Sequence, residues 1–389
     1  MRVLIVGAGL GGLCLAQGLR RAGVDVDVYE KDPGITARFQ GYRIGLSEVG
    51  QEALHACLPK RWQPLLDAVL GDASGPRLIL DPSLNPAGEI PSPTSEASRA
   101  TMADRHVLRQ LLLAGLDDRV HTGKRLTGFQ TQADGGVRAE FADGTAATGD
   151  LLVGADGINS AVRARLVDVA PTDTGVRCVI GRTMLDERFT PLVPGFGTIV
   201  SDGGASMMLG LMRFRRQPTQ AAAELAPEVR LPDVGDYLRW VFFPPPGVTL
   251  DTPPGASHRV VRRYLDGWHE DLRALVDAAD PENSTPLAIR VVQLGAARWP
   301  SGPVTLLGDA AHATSPSGGN GANTALLDAQ LLSGHLGEVV QGGRSLRDAV
   351  DDYERQMLHY GAEAVAESLA ALSKFGSPVT GAAGVPAGT

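Results

Sequence analysis

Short apolar runs and amphipathic stretches alternate along the first third of the chain. Residues 2–6 are β-branched and apolar, which predicts a buried strand. Leu13, Leu15, Ala16, Leu19 and Ala22 then fall on one side of a helix that Gly23 stops. A second strand is expected over Val24 to Tyr29, ending at Glu30. Ser47 is placed to cap a helix over Glu48 to Cys57. Residues 71–98 are rich in Pro, Ser, Gly and Asp and predict loop or short edge strands. A helix over Asp104 to Leu116 carries Leu108, Leu111 and Leu112 on one side. Strands and turns fill 119–149, with Ala142-Asp143-Gly144-Thr145 as a hairpin turn.

The pattern changes after about residue 175. Apolar runs at 176–180, 197–200, 206–214 and 238–243 are separated by glycines, prolines and charges. This predicts a mostly antiparallel sheet inserted into the first domain. Arg259 to Ala279 reads as helical, with Trp268 in the core. The chain returns to a buried strand at Val304 to Leu307, followed by a helix through Thr324 to Leu332. The fold class expected is α/β, a Rossmann-like domain with an inserted, mostly antiparallel sheet and a C-terminal helix. The expected division assigns 1–72, 98–174 and 285–340 to a cofactor-binding domain and 73–97 and 175–284 to a substrate domain. Residues 341–375 form the C-terminal helix and 376–389 a disordered tail.

Composition narrows the partners. The chain has 389 residues, 43% hydrophobic and 21% charged, as ordinary globular proteins do. A net charge of −8 argues against nonspecific binding to nucleic acid or anionic membranes. No apolar stretch reaches spanning length, so no stable membrane insertion is expected. Three widely spaced cysteines, Cys14, Cys57 and Cys178, suit reduced cytoplasmic thiols rather than a disulfide framework or a metal site.

Candidate chemistry sits in glycine-rich turns after strands. Gly7, Gly9 and Gly12 have G-x-G-x-x-G spacing, with Leu10 and Gly11 between. That spacing allows a tight turn, close approach to a pyrophosphate and close helix–strand packing. The helix start offers free N–H groups and a positive dipole end to phosphates. Glu30 lies where an acid can bind ribose hydroxyls, and Lys31 beside it could meet a 2′-phosphate. A second segment, Asp150 to Arg163, reads as strand, a sharp turn at Asp156-Gly157, and helix. Taken alone it could be an ordinary Asp-Gly turn. The third is Gly308-Asp309-Ala310-Ala311-His312, continuing through Pro316, Gly319, Gly321, Ala322 and Asn323. Asp309 can accept hydrogen bonds from sugar-like hydroxyls, and the glycines let backbone approach a flat ring. His312 reads chiefly as a structural histidine. The first and third segments together describe two ends of one long ligand, FAD.

On these motifs the chain resembles the FAD-dependent single-component (group A) flavoprotein monooxygenases, the para-hydroxybenzoate hydroxylase family, from Arg2 to about residue 372. The segment Gly7–Gly12 is similar to that family's ADP site. Gly154-Ala155-Asp156-Gly157 with Arg163 is similar to its second fingerprint, and Gly308–His312 with Pro316, Gly319, Gly321, Asn323 and Asp328 to its flavin-ribityl motif. The resemblance also implies an FAD-side role for Arg105, at the start of an Arg-x-x-Leu helix, and a place for Arg43 near flavin or incoming nicotinamide. No histidine or cysteine is placed to hold FAD covalently, so non-covalent FAD is implied.

The chemistry implied is reduction of the flavin by NADPH or NADH, a transient co-substrate. O2 addition at flavin C4a, which forms a hydroperoxide, and oxygen transfer from it to an aromatic or polycyclic, polyketide-like small molecule follow, by hydroxylation or epoxidation. The cofactor carries the chemistry. Catalytic contributions are therefore expected from Arg43 and from backbone around Pro316, Gly319 and Gly321 rather than from a triad. A reductase or dehydrogenase without oxygen transfer, and a non-catalytic flavin- or NAD-binding protein, remain as alternatives. A monomer or homodimer in the cytoplasm is expected. Met207, Met208, Leu209, Leu211, Met212 and Phe214 read as core packing or as the wall of an apolar pocket.

Overall fold

A computed structural model describes residues 1–34, 41–90, 100–248, 250, 253–295, 297, 299–300 and 302–373. The tail expected at 376–389 lies outside the described residues. Five parallel strands form the first sheet, in the order Val304–Leu306, Leu151–Gly154, Arg2–Val6, Asp25–Tyr29, Val120–His121. The run at 2–6 is central, and Val3, Leu4 and Ile5 are fully buried. This is the burial that a sheet covered on both faces demands. The helices Leu10–Arg21 and Gly321–Val340 pack together on one side, Gly18 lying against Ser333. A three-stranded meander (Leu126–Thr131, Val137–Phe141, Ala146–Gly149) adjoins the sheet, with Phe141 stacked 4.6 Å from Tyr29. Its expected hairpin turn at Asp143-Gly144 is present.

The second large sheet has seven strands, in the order Thr285–Val291, Thr172–Met184, Tyr237–Phe243, Ser206–Met212, Gly197–Ser201, Arg77–Leu80, Pro86–Ile90. Every pairing is antiparallel except that of Gly197–Ser201 with Arg77–Leu80. Side chains alternate between its faces. Leu238, Trp240 and Phe242 join Val261, Trp268 and Leu272 of the helical layer, while Tyr237 and Val241 belong to the core shared with the first sheet. The methionine-rich run divides in the same way: Met207 and Leu209 face the helices, and Met212 faces the first domain.

Three expectations are corrected in detail. The helix expected over Arg259 to Ala279 is two helices, Pro254–Tyr264 and Glu270–Asp277. Gly267, at φ +86°, turns the chain between them, and the His269 side chain accepts from the Asp271 N–H to start the second. The helix expected over Asp104 to Leu116 runs from Arg105 to Leu113, with Asp104 as its cap. The strand at 285–291, allotted from the sequence to the cofactor-binding part, hydrogen-bonds to Thr172–Met184 at the edge of the seven-stranded sheet.

One buried carboxylate joins the two parts. Asp104 Oδ1 accepts from the N–H groups of His106 and Val107 at 2.9 and 2.8 Å, and Oδ2 accepts from the Tyr237 hydroxyl at 2.7 Å. Burial and the Asp104 charge push the Tyr237 phenol well above its ordinary range, so it stays a donor. The closing helix Leu346–Ser373 is anchored by Tyr353, whose hydroxyl donates to Leu306 O at 2.8 Å, and by Glu354, which accepts from Trp299 Nε1 at 2.8 Å.

Two outcomes follow. Replacing Asp104 by Ala removes a helix cap and strands a buried hydroxyl. Urea denaturation should show a loss of about 2–3 kcal/mol, with Asp104→Asn losing less. Burial raises the Glu354 carboxyl to about 7, against 4.5 ordinarily. The folded state therefore holds its proton more tightly than the unfolded chain. That stabilisation is complete below the unfolded value and is lost as pH rises through about 7, by on the order of 3 kcal/mol. Melting temperature should fall between pH 5 and pH 8 in the parent, and Glu354→Gln should flatten that fall.

Candidate cofactor site at the strand ends

The register of the parallel sheet aligns Val6, Gly154 and Leu306 on adjacent strands. The three glycine-bearing turns therefore leave the sheet at one edge, the outer two about 10 Å apart at ordinary strand spacing. They also touch. A Cβ at Gly7, where φ is +109°, would lie 2.3 Å from Ala155 O, so the first turn packs directly on the second. A Cβ at Gly11 would meet Leu307 Cδ2 at 2.5 Å, so the first helix packs on the third.

Gly9 differs from its neighbours. Nothing lies within 4 Å of where its Cβ would be, and no side chain caps the Leu10–Arg21 helix. The first-turn N–H groups thus open onto free space beside a buried Leu10. Gly12 is the opposite, its Cβ position only 2.2 Å from Gly7 O.

Glu30 is buried and held from several sides. It accepts from the N–H groups of Ala8 and Asp32 at 2.9 and 3.0 Å, and Arg109 Nη2 stands 3.5 Å away. Arg109 Nε in turn donates to Ala8 O at 2.7 Å, so this arginine splints the glycine turn to its acid. Sequence reasoning passed over Arg109. Its signal was position: it lies one helical turn after Arg105, among Val107, Leu108, Leu111 and Leu112, where a buried cation needs a purpose. Lys31 is half-buried beside the acid, and Arg105 is half-buried at the first turn of its helix.

In the second turn, Asp156 Oδ2 accepts from the N–H groups of Ala161 and Val162 at 2.6 and 3.3 Å. Burial raises its carboxyl, and Oδ1 is buried without a partner. Gly157 supplies the left-handed step. Arg163 donates to Ile158 O at 2.7 Å and to Ala310 O at 2.9 Å, binding the second turn to the third.

In the third turn, Asp309 is exposed between buried Gly308 and Ala310. Asp328, fully buried, accepts from Gly308 N at 2.7 Å and from His312 Nε2 at 2.8 Å, and its other oxygen accepts from the Tyr360 hydroxyl. Burial opposes charge on His312, but Asp328 outweighs it and holds the imidazole above its ordinary value. His312 is a brace for the loop. Pro316 opens a short turn, Gly319 stands at φ +69°, and Gly321 and half-buried Ala322 begin the long helix. Asn323 turns its side chain away, accepting from Ser47 N at 3.0 Å and donating to Gly45 O at 3.1 Å. Arg43 also points elsewhere, its guanidinium 3.5 Å from Phe196 O at the seven-stranded sheet. Among the described residues no group of side chains could hold a metal ion, and no helix is long and apolar enough to cross a membrane.

An uncapped helix start, a buried acid and an exposed carboxylate at one sheet edge suit an elongated diphosphate ligand. Comparison with known proteins agrees. Residues 5–64 match an NAD(P)-binding Rossmann-like domain and residues 258–368 an FAD binding domain. The chain is 32% identical, over 91% of its length, to the dual O-methyltransferase/FAD-dependent monooxygenase CTB3 of Cercospora beticola. It spans 39–44% of the length of that protein and of two similar dual O-methyltransferase/FAD-dependent monooxygenases, from Cercospora nicotianae and Phaeosphaeria nodorum. The FAD-dependent urate hydroxylase of Klebsiella pneumoniae is 29% identical, over 92% of this chain and 85% of its own. The crystal structure of Klebsiella pneumoniae HpxO with FAD and uric acid superposes with TM-score 0.77 at 25% identity, covering 96% of this chain and 88% of that one. The three turns and their order agree with these relatives, which are FAD-dependent monooxygenases and hydroxylases.

Proposed function

We propose that the protein is an FAD-dependent monooxygenase that uses NADPH or NADH and O2 to hydroxylate or epoxidise an aromatic or polyketide-like small molecule. The observation that carries this reading is the convergence of three glycine turns at one sheet edge, facing a second sheet across a joint fixed by Asp104. The residues present fit FAD. The hollow at Gly9 and the N–H groups from Leu10 to Gly12 would take the diphosphate, and Glu30 the adenosine ribose, with Lys31 and Arg105 beside it. Asp309 would accept from the ribityl hydroxyls. Asp156, Gly157 and Gly308 shape the floor through their turns, and Asn323 holds the long helix to Gly45 in the short strand Arg43–Leu46. The backbone from Pro316 through Gly319 and Gly321 to Ala322 would approach the flavin ring.

FAD, when bound, supplies hydride acceptance and oxygen activation. The chain's own task is to bind, orient and keep water out. Its catalytic contribution then comes from positioning, and no nucleophile–base pair is required. The names of the relatives, a urate hydroxylase and fungal monooxygenases joined to methyltransferases, support a small heterocyclic or polycyclic substrate.

Gly9→Val should fold normally, because φ is −74° and its Cβ space is empty, yet purify without flavin colour. Gly12→Val should fail to fold instead. Asp309→Ala should weaken FAD retention about tenfold or more in equilibrium dialysis, the loss of charge-assisted hydrogen bonds. Turnover in isotope-labelled dioxygen should place one labelled oxygen atom in the product. A product without label would leave a reductase.

A further inference from the structure

Two of the three cysteines lie against each other where the helices Leu10–Arg21 and Glu48–Cys57 meet. Cys14 sits just past the first turn of one helix, and Cys57 is the last residue of the other. Both are fully buried. Gly18 follows Cys14 by one turn on the same face. A Cβ there would lie 3.1 Å from Cys57 Sγ and 2.5 Å from Ser333 Oγ, so the helices approach closely. The Cys14 and Cys57 thiols are hydrogen-bonded to each other. Ser333, from the Gly321–Val340 helix, closes the cluster with its Oγ 3.9 Å from Cys57 Sγ. Arg21 clamps the meeting point. Its Nη1 donates to His55 O and Leu58 O at 3.2 and 3.0 Å, and also to Ala56 O, the carbonyls around the end of the second helix.

Buried cysteines commonly serve as small apolar side chains. This pair differs in its company. The hydrogen bond from Cys14 pulls the Cys57 thiol below its ordinary value against the burial that opposes it, and Ser333 and Arg21 assist. The same hydrogen bond, with burial, pushes the Cys14 thiol well above its ordinary value. A more acidic sulfur beside a resolving thiol is the arrangement that passes through a sulfenic acid to a disulfide. Cys178 is the contrast. It lies in the Thr172–Met184 strand, opposite Leu287, and burial pushes its thiol up to about 12.

We propose that Cys14 and Cys57 are an oxidative modification site: hydrogen peroxide converts them to a disulfide, and the disulfide loosens the hold of the first helix on FAD. The effect on FAD rests on the cofactor-site reading, whereas the modification site does not. The Cys57 sulfur attacks one peroxide oxygen. An S–O bond forms, the O–O bond breaks, and the departing hydroxide leaves as water with the thiol proton. The Cys14 sulfur then attacks the Cys57 sulfur. The S–S bond forms, the S–O bond breaks, and a second water leaves with the Cys14 proton. Two electrons pass from the two thiols to one peroxide. Closing the sulfurs from hydrogen-bonding contact to a covalent bond draws the helices together, where Gly18 leaves little slack. The first helix cannot follow freely, because Gly11 rests on Leu307 and Gly12 on Gly7. Its first-turn N–H groups, one turn before Cys14, are therefore displaced from the diphosphate position.

Cys178→Ala, which leaves the pair alone, makes the test, and the parent analysed by peptide mass serves if that variant does not fold. Folded protein treated with hydrogen peroxide, then denatured and alkylated, should have lost both thiols of the pair. Digestion should yield one peptide pair joined through Cys14 and Cys57, and dithiothreitol should restore both thiols. Cys14→Ala should leave Cys57 to take up oxygen instead of cross-linking. In glutathione buffers, FAD should shift the equilibrium toward the dithiol by about fivefold or more, and reduced protein should bind FAD more tightly by the same factor. Persistence of both thiols, oxygen uptake at Cys57 of the parent without a cross-link, or equal midpoints with and without FAD would overturn the proposal. So would a cross-link that forms only in unfolded protein. A protein that forms the cross-link when folded but takes up no FAD would remove the cofactor reading and keep the modification site. One that takes up FAD and keeps both thiols would do the reverse.

Discussion

The rest of the structure depends on backbone meeting backbone where the first glycine turn closes. A side chain at position 7 would strike Ala155, and one at position 12 would strike Gly7 itself. These contacts set the first helix tight against the sheet and bring the second turn under the first. The third follows through Leu307 and the Gly321–Val340 helix. Beside these contacts Gly9 is open: nothing stands within 4 Å of its Cβ position.

Buried carboxylates then do the aligning. Asp104 starts a helix and holds Tyr237; Asp328 holds Gly308, His312 and Tyr360; Glu30 holds Ala8; Asp156 holds its own turn. Each accepts two or more hydrogen bonds, which is the condition for burying such a group at modest cost. They act on loops rather than on a reacting bond. A site whose chemistry is supplied by a cofactor needs this kind of rigidity more than it needs an acid–base pair.

Much of this was legible in the residues because the signals are local. Period-2 and period-3.6 patterns marked the strands and the capped helix after Ser47, and the glycine spacings marked the turns. What escaped was non-local or locally masked. The break at Gly267 hides in a helical pattern because a lone glycine is tolerated there. The 285–291 strand joined the other sheet because pairing, not composition, decides membership. Arg109 was legible only as a cation among the apolar positions of its helix, and its partners Ala8 and Glu30 were not. Arg77, Arg182 and Arg239 lie between 57 and 162 residues apart, and only cross-strand register sets them in one row.

The double duty of Asp104 constrains how the two halves can move. Pulling the seven-stranded sheet away from the parallel one would take Tyr237 from the same carboxylate that begins the Arg105–Leu113 helix, which carries Arg109 to Glu30. A displacement of the seven-stranded sheet is thereby transmitted, through one acid and little more than one turn of helix, to the acid beside the first glycine turn. Parting the halves and loosening Glu30 therefore draw on one connected set of hydrogen bonds.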